Sequence, residues 1–137
     1  KALSGYTPQN NRSQLKQTED NTLIIDAYNA NPTSMMAALE NFRNMPAEHK
    51  VVILGDMREL GEDSATEHQK VIDFIDTCHF ERVILVGELF AAARHKYHSY
   101  PDVQALIEDL KQDKPMGKII LIKGSNSIKL IQTVDLL

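Results

Sequence analysis

Four short runs of aliphatic, mostly β-branched residues, Thr22 to Ile25, Val51 to Leu54, Val83 to Val86 and Ile119 to Ile122, are separated by stretches whose apolar residues recur at helical spacing. That alternation of period constrains the fold more than any other feature of the chain. A strand that is apolar on both faces must be covered on both, and strands joined through helices run parallel. The expectation is an α/β fold: a Rossmann-like three-layer sandwich on a mostly parallel sheet of about six strands. Ser13 to Thr18, turning through Glu19-Asp20-Asn21, reads as one antiparallel edge strand, and a short strand is expected around Tyr97 to Tyr100.

The helices are signalled at their starts. Asn31 and Pro32 suit the N-cap and first turn of a helix over residues 32–45, with Met36, Leu39 and Phe42 as its apolar stripe. Ser64-Ala65-Thr66-Glu67 has the form of a capping box opening a helix that turns Val71, Ile72 and Ile75 inward. Further helices are expected after Gly87 (Leu89, Phe90, Ala93), after Tyr100-Pro101-Asp102 (Val103, Leu106, Ile107, Leu110), and from about Ser127 to the end (Ile128, Ile131, Val134). Residues 1–11, with Gly5, Pro8, Asn10 and Asn11, read as a linker, and 12–137 as one domain, in keeping with a length of 137 residues.

Composition removes several function classes. Lys and Arg number 15 against 19 Asp and Glu, the net charge is −4, and no stretch concentrates the basic residues, so neither nucleic acid nor an anionic membrane is an expected partner. No apolar run approaches the roughly 20 residues that span a bilayer. The single Cys78 has no partner for an internal disulfide, fits a reducing cytoplasm, and reads as a buried helix residue. Five histidines show no His-Glu-x-x-His pattern and no cluster with cysteine, so no metal site is expected here. His68 is open between packing, bracing of the preceding loop, and ligand contact. The chain begins at Lys1 rather than Met, which suggests a piece of a longer protein.

Polar residues concentrate where the strands end. Asp26-Ala27-Tyr28-Asn29-Ala30-Asn31-Pro32 follows the first run, Gly55-Asp56-Met57-Arg58-Glu59-Leu60-Gly61 the second, Gly87-Glu88 the third, and Lys123-Gly124-Ser125-Asn126 the fourth. In a parallel sheet these junctions share one edge, at the carboxyl ends of strands and amino ends of helices, where anionic ligands bind. Capping and turn formation account for any one junction alone, but not for Asp, Tyr and two Asn within six residues. Neither G-x-G-x-x-G nor G-x-x-x-x-G-K-[ST] occurs, so the chain lacks a phosphate cradle of its own.

With these motifs in this order, and with His68 downstream of the second, the sequence resembles the C-terminal domain of the Mur ligase family over nearly its whole length, most closely members that add a dipeptide. Asn11-Arg12-Ser13-Gln14 looks like the family's interdomain Arg motif. The resemblance implies a three-domain cytoplasmic, ADP-forming ligase of peptidoglycan synthesis. Its N-terminal domain would bind UDP-N-acetylmuramoyl-tripeptide. Its central domain would carry the P-loop, a carbamylated lysine and most of the Mg2+ ligation, and this domain would close over ATP and position D-Ala-D-Ala. On that resemblance Asp26 accepts from the ATP ribose hydroxyls, Arg12 holds the nucleotide near the hinge, and Tyr28, Asn29 and Asn31 line the nucleotide side. Lys123, Gly124 and Ser125 meet the dipeptide carboxylate, with Asp56 and its loop shaping the same pocket. No residue of this chain is assigned bond-making chemistry. Two positions depart from the family pattern: Asn126, where many relatives carry Arg after Lys-Gly-Ser, and Ala27, where the family has Ser. Two other readings remain: a free-standing Rossmann-like module for a nucleotide or small anion, and a Mur-type ligase domain for another amino acid.

Overall fold

A computed structural model describes residues 14–26, 31–58, 60–125 and 128–137. The 1–11 linker and the residues Arg12, Ala27, Tyr28, Asn29 and Asn126 lie outside the described residues. The elements run β1 (Gln14–Gln17), β2 (Asn21–Asp26), α1 (Pro32–Asn44), β3 (Lys50–Gly55), α2 (Ser64–Cys78), β4 (Arg82–Val86), α3 (Glu88–Ala92), β5 (His98–Tyr100), α4 (Val103–Leu110) and β6 (Lys118–Lys123). Short 3-10 helices cover Gly61–Asp63 and Leu130–Leu136.

The sheet order is β1-β2-β6-β3-β4-β5. Among the described residues only β1 is antiparallel, pairing with β2 from Gln14 opposite Ile25 to Gln17 opposite Thr22; the other four pairings are parallel. The two-residue period of each strand divides its side chains between two cores. Val51, Ile53, Ile84, Ile120 and Ile122 face one layer, closed by Val103, Leu106 and Leu110 of α4 and by Leu130, Val134 and Leu137. Val52, Leu54, Leu85 and Leu121 face the other, closed by Leu39 and Phe42 of α1, Val71, Ile72 and Ile75 of α2, and Phe90 of α3. The three-layer α/β reading, with its six strands and single antiparallel edge, is the observed architecture.

Details differ from the sequence reading at four places: the stripe of α1, the start of α2, the terminal segment and Cys78. In α1 it is Met35, not Met36, that joins Leu39 and Phe42 in full burial, with Met36 packed at the margin. Helix α2 has no capping box: the Gly61–Asp63 turn runs straight into it, Asp63 occupies the N-cap position without a side-chain hydrogen bond, and Ser64 is already helical. The terminal segment is 3-10 rather than α, and begins at Leu130 after Lys129 takes a left-handed conformation (φ 62°). There the Thr133 hydroxyl donates to the Leu130 carbonyl at 2.7 Å, and Thr133 turns inward while Ile131 is exposed. Cys78, at the last position of α2, is half-buried rather than buried; burial raises its thiol pKa.

Candidate functional site

Because β2, β6, β3, β4 and β5 are parallel, their carboxyl ends lie along one edge of the sheet. The chain passes from β2 to β3 over the place that β6 later fills, so the strand order reverses beside β6, the position at which open α/β sheets bind ligands. The last residues of β2 and β6, Asp26 and Lys123, are register partners there. Lys123 is 1% exposed and its Nζ donates to Asp26 Oδ2 at 2.6 Å. An ammonium this deep is tolerable only beside a carboxylate, and removal of either partner leaves the other charge buried. The two residues expected to serve different ligands, the nucleotide and the dipeptide, are thus one ion pair.

Next along the edge, Gly124 and Gly55 bring two backbones together. A Cβ built on Gly124 would stand 2.8 Å from Gly55 Cα, and one on Gly55 would stand 3.0 Å from the Ile128 side chain, so both glycines answer to close approach. Ser125 is buried, and its N–H donates to the Asp56 carbonyl at 3.2 Å. Asp56 is tied through both backbone and side chain. Its N–H donates to the Val86 carbonyl at 3.1 Å, and its carboxylate accepts from the N–H groups of Leu89 and Phe90, each at 2.9 Å. Those are donors left over at the first turn of α3, satisfied by a charge that also suits the helix dipole. Gly87 makes this possible: at φ 116°, a Cβ there would overlap the Asp56 carboxyl carbon at 2.3 Å. Asp56 shapes the loop and presents little of itself, at 1% exposure.

Asn31 sits where the sequence placed it, in a reciprocal cap: its side-chain oxygen accepts from Ser34 N at 2.8 Å, and Ser34 Oγ accepts from Asn31 N at 3.1 Å. Beyond Asp56, a cavity of about 490 Å³ opens between α3, α4 and the terminal 3-10 helix. Arg58, Glu88, Asp102 and Lys129 give it charge of both signs, and Asp56 lies in its wall. Lys123 and Ser125 do not line it. The edge therefore has a buried ion pair at β2 and β6 and an open, mixed-charge cavity beyond β3. Among the described residues no group of three His, Cys, Asp or Glu side chains converges in a way that could hold a metal ion. No helix among them is long and apolar enough to cross a membrane.

Sequence reasoning missed two parts of this edge: the Asp26–Lys123 partnership, between residues 97 positions apart, and the role of Gly87 as the space for Asp56. The only local signal for the second was a glycine opening a helix.

The chain is a doubly wound α/β domain with polar residues gathered at the strand reversal. A family model described as Mur ligase, glutamate ligase domain, matches residues 11–126, and the chain belongs to that family. The UDP-N-acetylmuramoyl-tripeptide--D-alanyl-D-alanine ligase of Rickettsia prowazekii (strain Madrid E) is 33% identical over 144 residues, covering 98% of this chain and 31% of the relative. The protein of the same name from Bacillus subtilis (strain 168) is 34% identical over 145 residues, covering 98% and 32%. A crystal structure of MurF from Acinetobacter baumannii superposes with a TM-score of 0.76 at 28% identity, over 91% of this chain and 29% of that one. A MurF ligase from Thermotoga maritima in complex with ADP gives 0.75 over 91% and 30%; at 20% identity it speaks for the fold alone. The chain spans about a third of the length of the relatives it matches.

Proposed function

We propose that this chain is the C-terminal domain, over residues 12–137 behind a linker at 1–11, of a cytoplasmic ATP-dependent ligase that joins D-Ala-D-Ala to UDP-N-acetylmuramoyl-tripeptide. The observation that carries the reading is the buried Asp26–Lys123 pair at the strand reversal, in a chain about one-third identical to ligases of that name. The reaction has two steps. The terminal carboxylate of the tripeptide attacks the γ-phosphate of ATP, releasing ADP and leaving an acyl phosphate. The dipeptide amine then attacks the acyl carbon, phosphate leaves, and the amine gives up a proton as the amide forms.

This domain contributes position and closure to both steps, bringing the nucleophile to the acyl carbon and keeping water from it. Asp26, acceptor-only as a carboxylate, faces the ribose hydroxyls; Arg12, Tyr28, Asn29 and Asn31 belong to the nucleotide side. Lys123, Gly124 and Ser125 with the Asp56 loop form the dipeptide side. Since Lys123 Nζ is held by Asp26, any ligand pull on one is felt by the other, and the ion pair joins the two subsites. Bound Mg2+ neutralises charge on the phosphates; its ligands would come mainly from a central domain, and no step is assigned to it through residues of this chain.

The complete protein carrying this domain is expected to release phosphate from ATP when given UDP-N-acetylmuramoyl-tripeptide and D-Ala-D-Ala, and not with single amino acids in place of the dipeptide. Turnover with a single amino acid in preference to the dipeptide overturns the substrate reading; release by residues 1–137 alone overturns the division of labour.

A further inference from the structure

His68 is fully buried on α2, and none of the ligand roles above falls to it. Its Nδ1 donates to the Ser64 carbonyl one turn back at 2.7 Å, which leaves Nε2 as a lone-pair acceptor, and that acceptor takes the buried N–H of Met57 at 3.0 Å. The ring stands edge-on to Phe90, centroids 4.6 Å apart. Phe90 N is one of the two donors to Asp56. The loop after β3 is therefore held from two sides. Asp56 is fastened to α3, Met57 to α2, and His68 and Phe90 touch each other to close the ring of contacts. The next residue, Arg58, is exposed and lines the 490 Å³ cavity.

We propose that His68 is a positioning residue: through the Met57 N–H it sets the Asp56 loop on the dipeptide side, and with it the backbone from which Arg58 reaches the cavity. The inference rests on the reading under Proposed function and deepens it. A core histidine needs only satisfied nitrogens. Here one nitrogen is satisfied within its own helix, and the other is spent on the loop. A buried N–H demands an acceptor, so without the ring the Met57 amide turns elsewhere and carries Arg58 with it. Neither Asp56 nor His68 need touch substrate for this, and a displacement of about 1 Å at a positioning group is enough to lower turnover strongly.

The test uses His68→Leu and His68→Gln in the complete ligase, with KM measured separately for ATP and for D-Ala-D-Ala. Leu fills the space without an acceptor; the Gln amide oxygen can reach where Nε2 stood. The expected result is a KM for D-Ala-D-Ala raised roughly tenfold in the Leu variant, with KM for ATP within about twofold of wild type, and most of the loss recovered by Gln. A merely structural histidine would lower the active fraction and leave both KM values alone, and that result overturns the inference. If the Leu variant does not fold, Gln is compared with Asn, which keeps a donor near Nδ1 but no acceptor at Nε2; equal dipeptide KM in these two also overturns it. A wild-type protein that ignores D-Ala-D-Ala overturns the function reading, and the same KM comparison is then made with the amino acid it accepts.

Discussion

The two ends of the sheet solve the same problem differently. At the carboxyl end the strands close on buried ions and a buried ring: Asp26 with Lys123, Asp56 on the α3 amides, and His68 on Met57. At the amino end the tie is a neutral amide. Asn21, 4% exposed, donates through Nδ2 to the carbonyls of Pro115 and Leu137 at 3.0 and 2.9 Å and accepts from Lys118 N at 3.0 Å. The ionisable groups at that end are at least partly exposed: His49 Nδ1 meets Glu81 at 2.7 Å, Lys118 also meets Glu81, and Lys114 meets Asp20 at 2.7 Å. A buried ion pair is a poor way to stabilise a fold compared with an apolar or neutral polar contact. Its use at only one end of the sheet, among the described residues, marks that end as the working one.

Four substitutions put pressure on this contrast. Lys123→Met should lower unfolding stability by about 3–5 kcal/mol, because it leaves the Asp26 carboxylate buried, and Asp26→Asn added to it should recover at least half of the loss. Denaturant titration of the two single variants and the double variant reads the coupling directly. Asn21→Ala should cost about 2–3 kcal/mol, since backbone groups at three places each lose a hydrogen bond at once, with only the Leu137 carbonyl keeping a second donor in the Thr18 hydroxyl. The smallest effect belongs to Glu81. The Lys118 hydrogen bond first, then that of His49, holds its carboxyl below the ordinary value of 4.5. A depressed carboxyl stabilises the fold above its unfolded value and loses that contribution as pH falls through the folded one. Glu81→Gln should therefore leave the melting temperature at neutral pH and high salt almost unchanged and flatten its decline on the acid side.

Tyr100, the last residue of β5, shifts in the opposite direction. Burial first, then its 2.5 Å bond to Asp109, pushes its phenol up to about 12.

Much of this organisation was legible in the residues. Four aliphatic runs gave the parallel strands, and Asn31-Pro32 gave the start of α1, because both signals are local: periodicity, and a side chain satisfying its own helix. The capping box at Ser64 failed for a related reason. The preceding Gly61–Asp63 turn already feeds the helix, so its first amides are not left for Ser64 to cap. The site was legible as a set of loops but not as a set of contacts. Asp26 and Lys123 meet because β6 inserts between β2 and β3, a fact of topology that no window of sequence contains. Asp56 looked like a pocket residue from its motif, and its carboxylate is held by the first amides of α3, a helix that begins 32 residues later.

The central claim is that the carboxyl end of this sheet works on substrates while the amino end only holds the fold. The most direct measurement is dipeptide-dependent phosphate release by the complete protein carrying Lys123→Met or Asn21→Ala, at a temperature where both are folded by circular dichroism. The account predicts that Lys123→Met loses at least about a hundredfold in kcat/KM per folded molecule, while Asn21→Ala keeps activity within about twofold. Equal losses in the two variants, tracking stability alone, would contradict it.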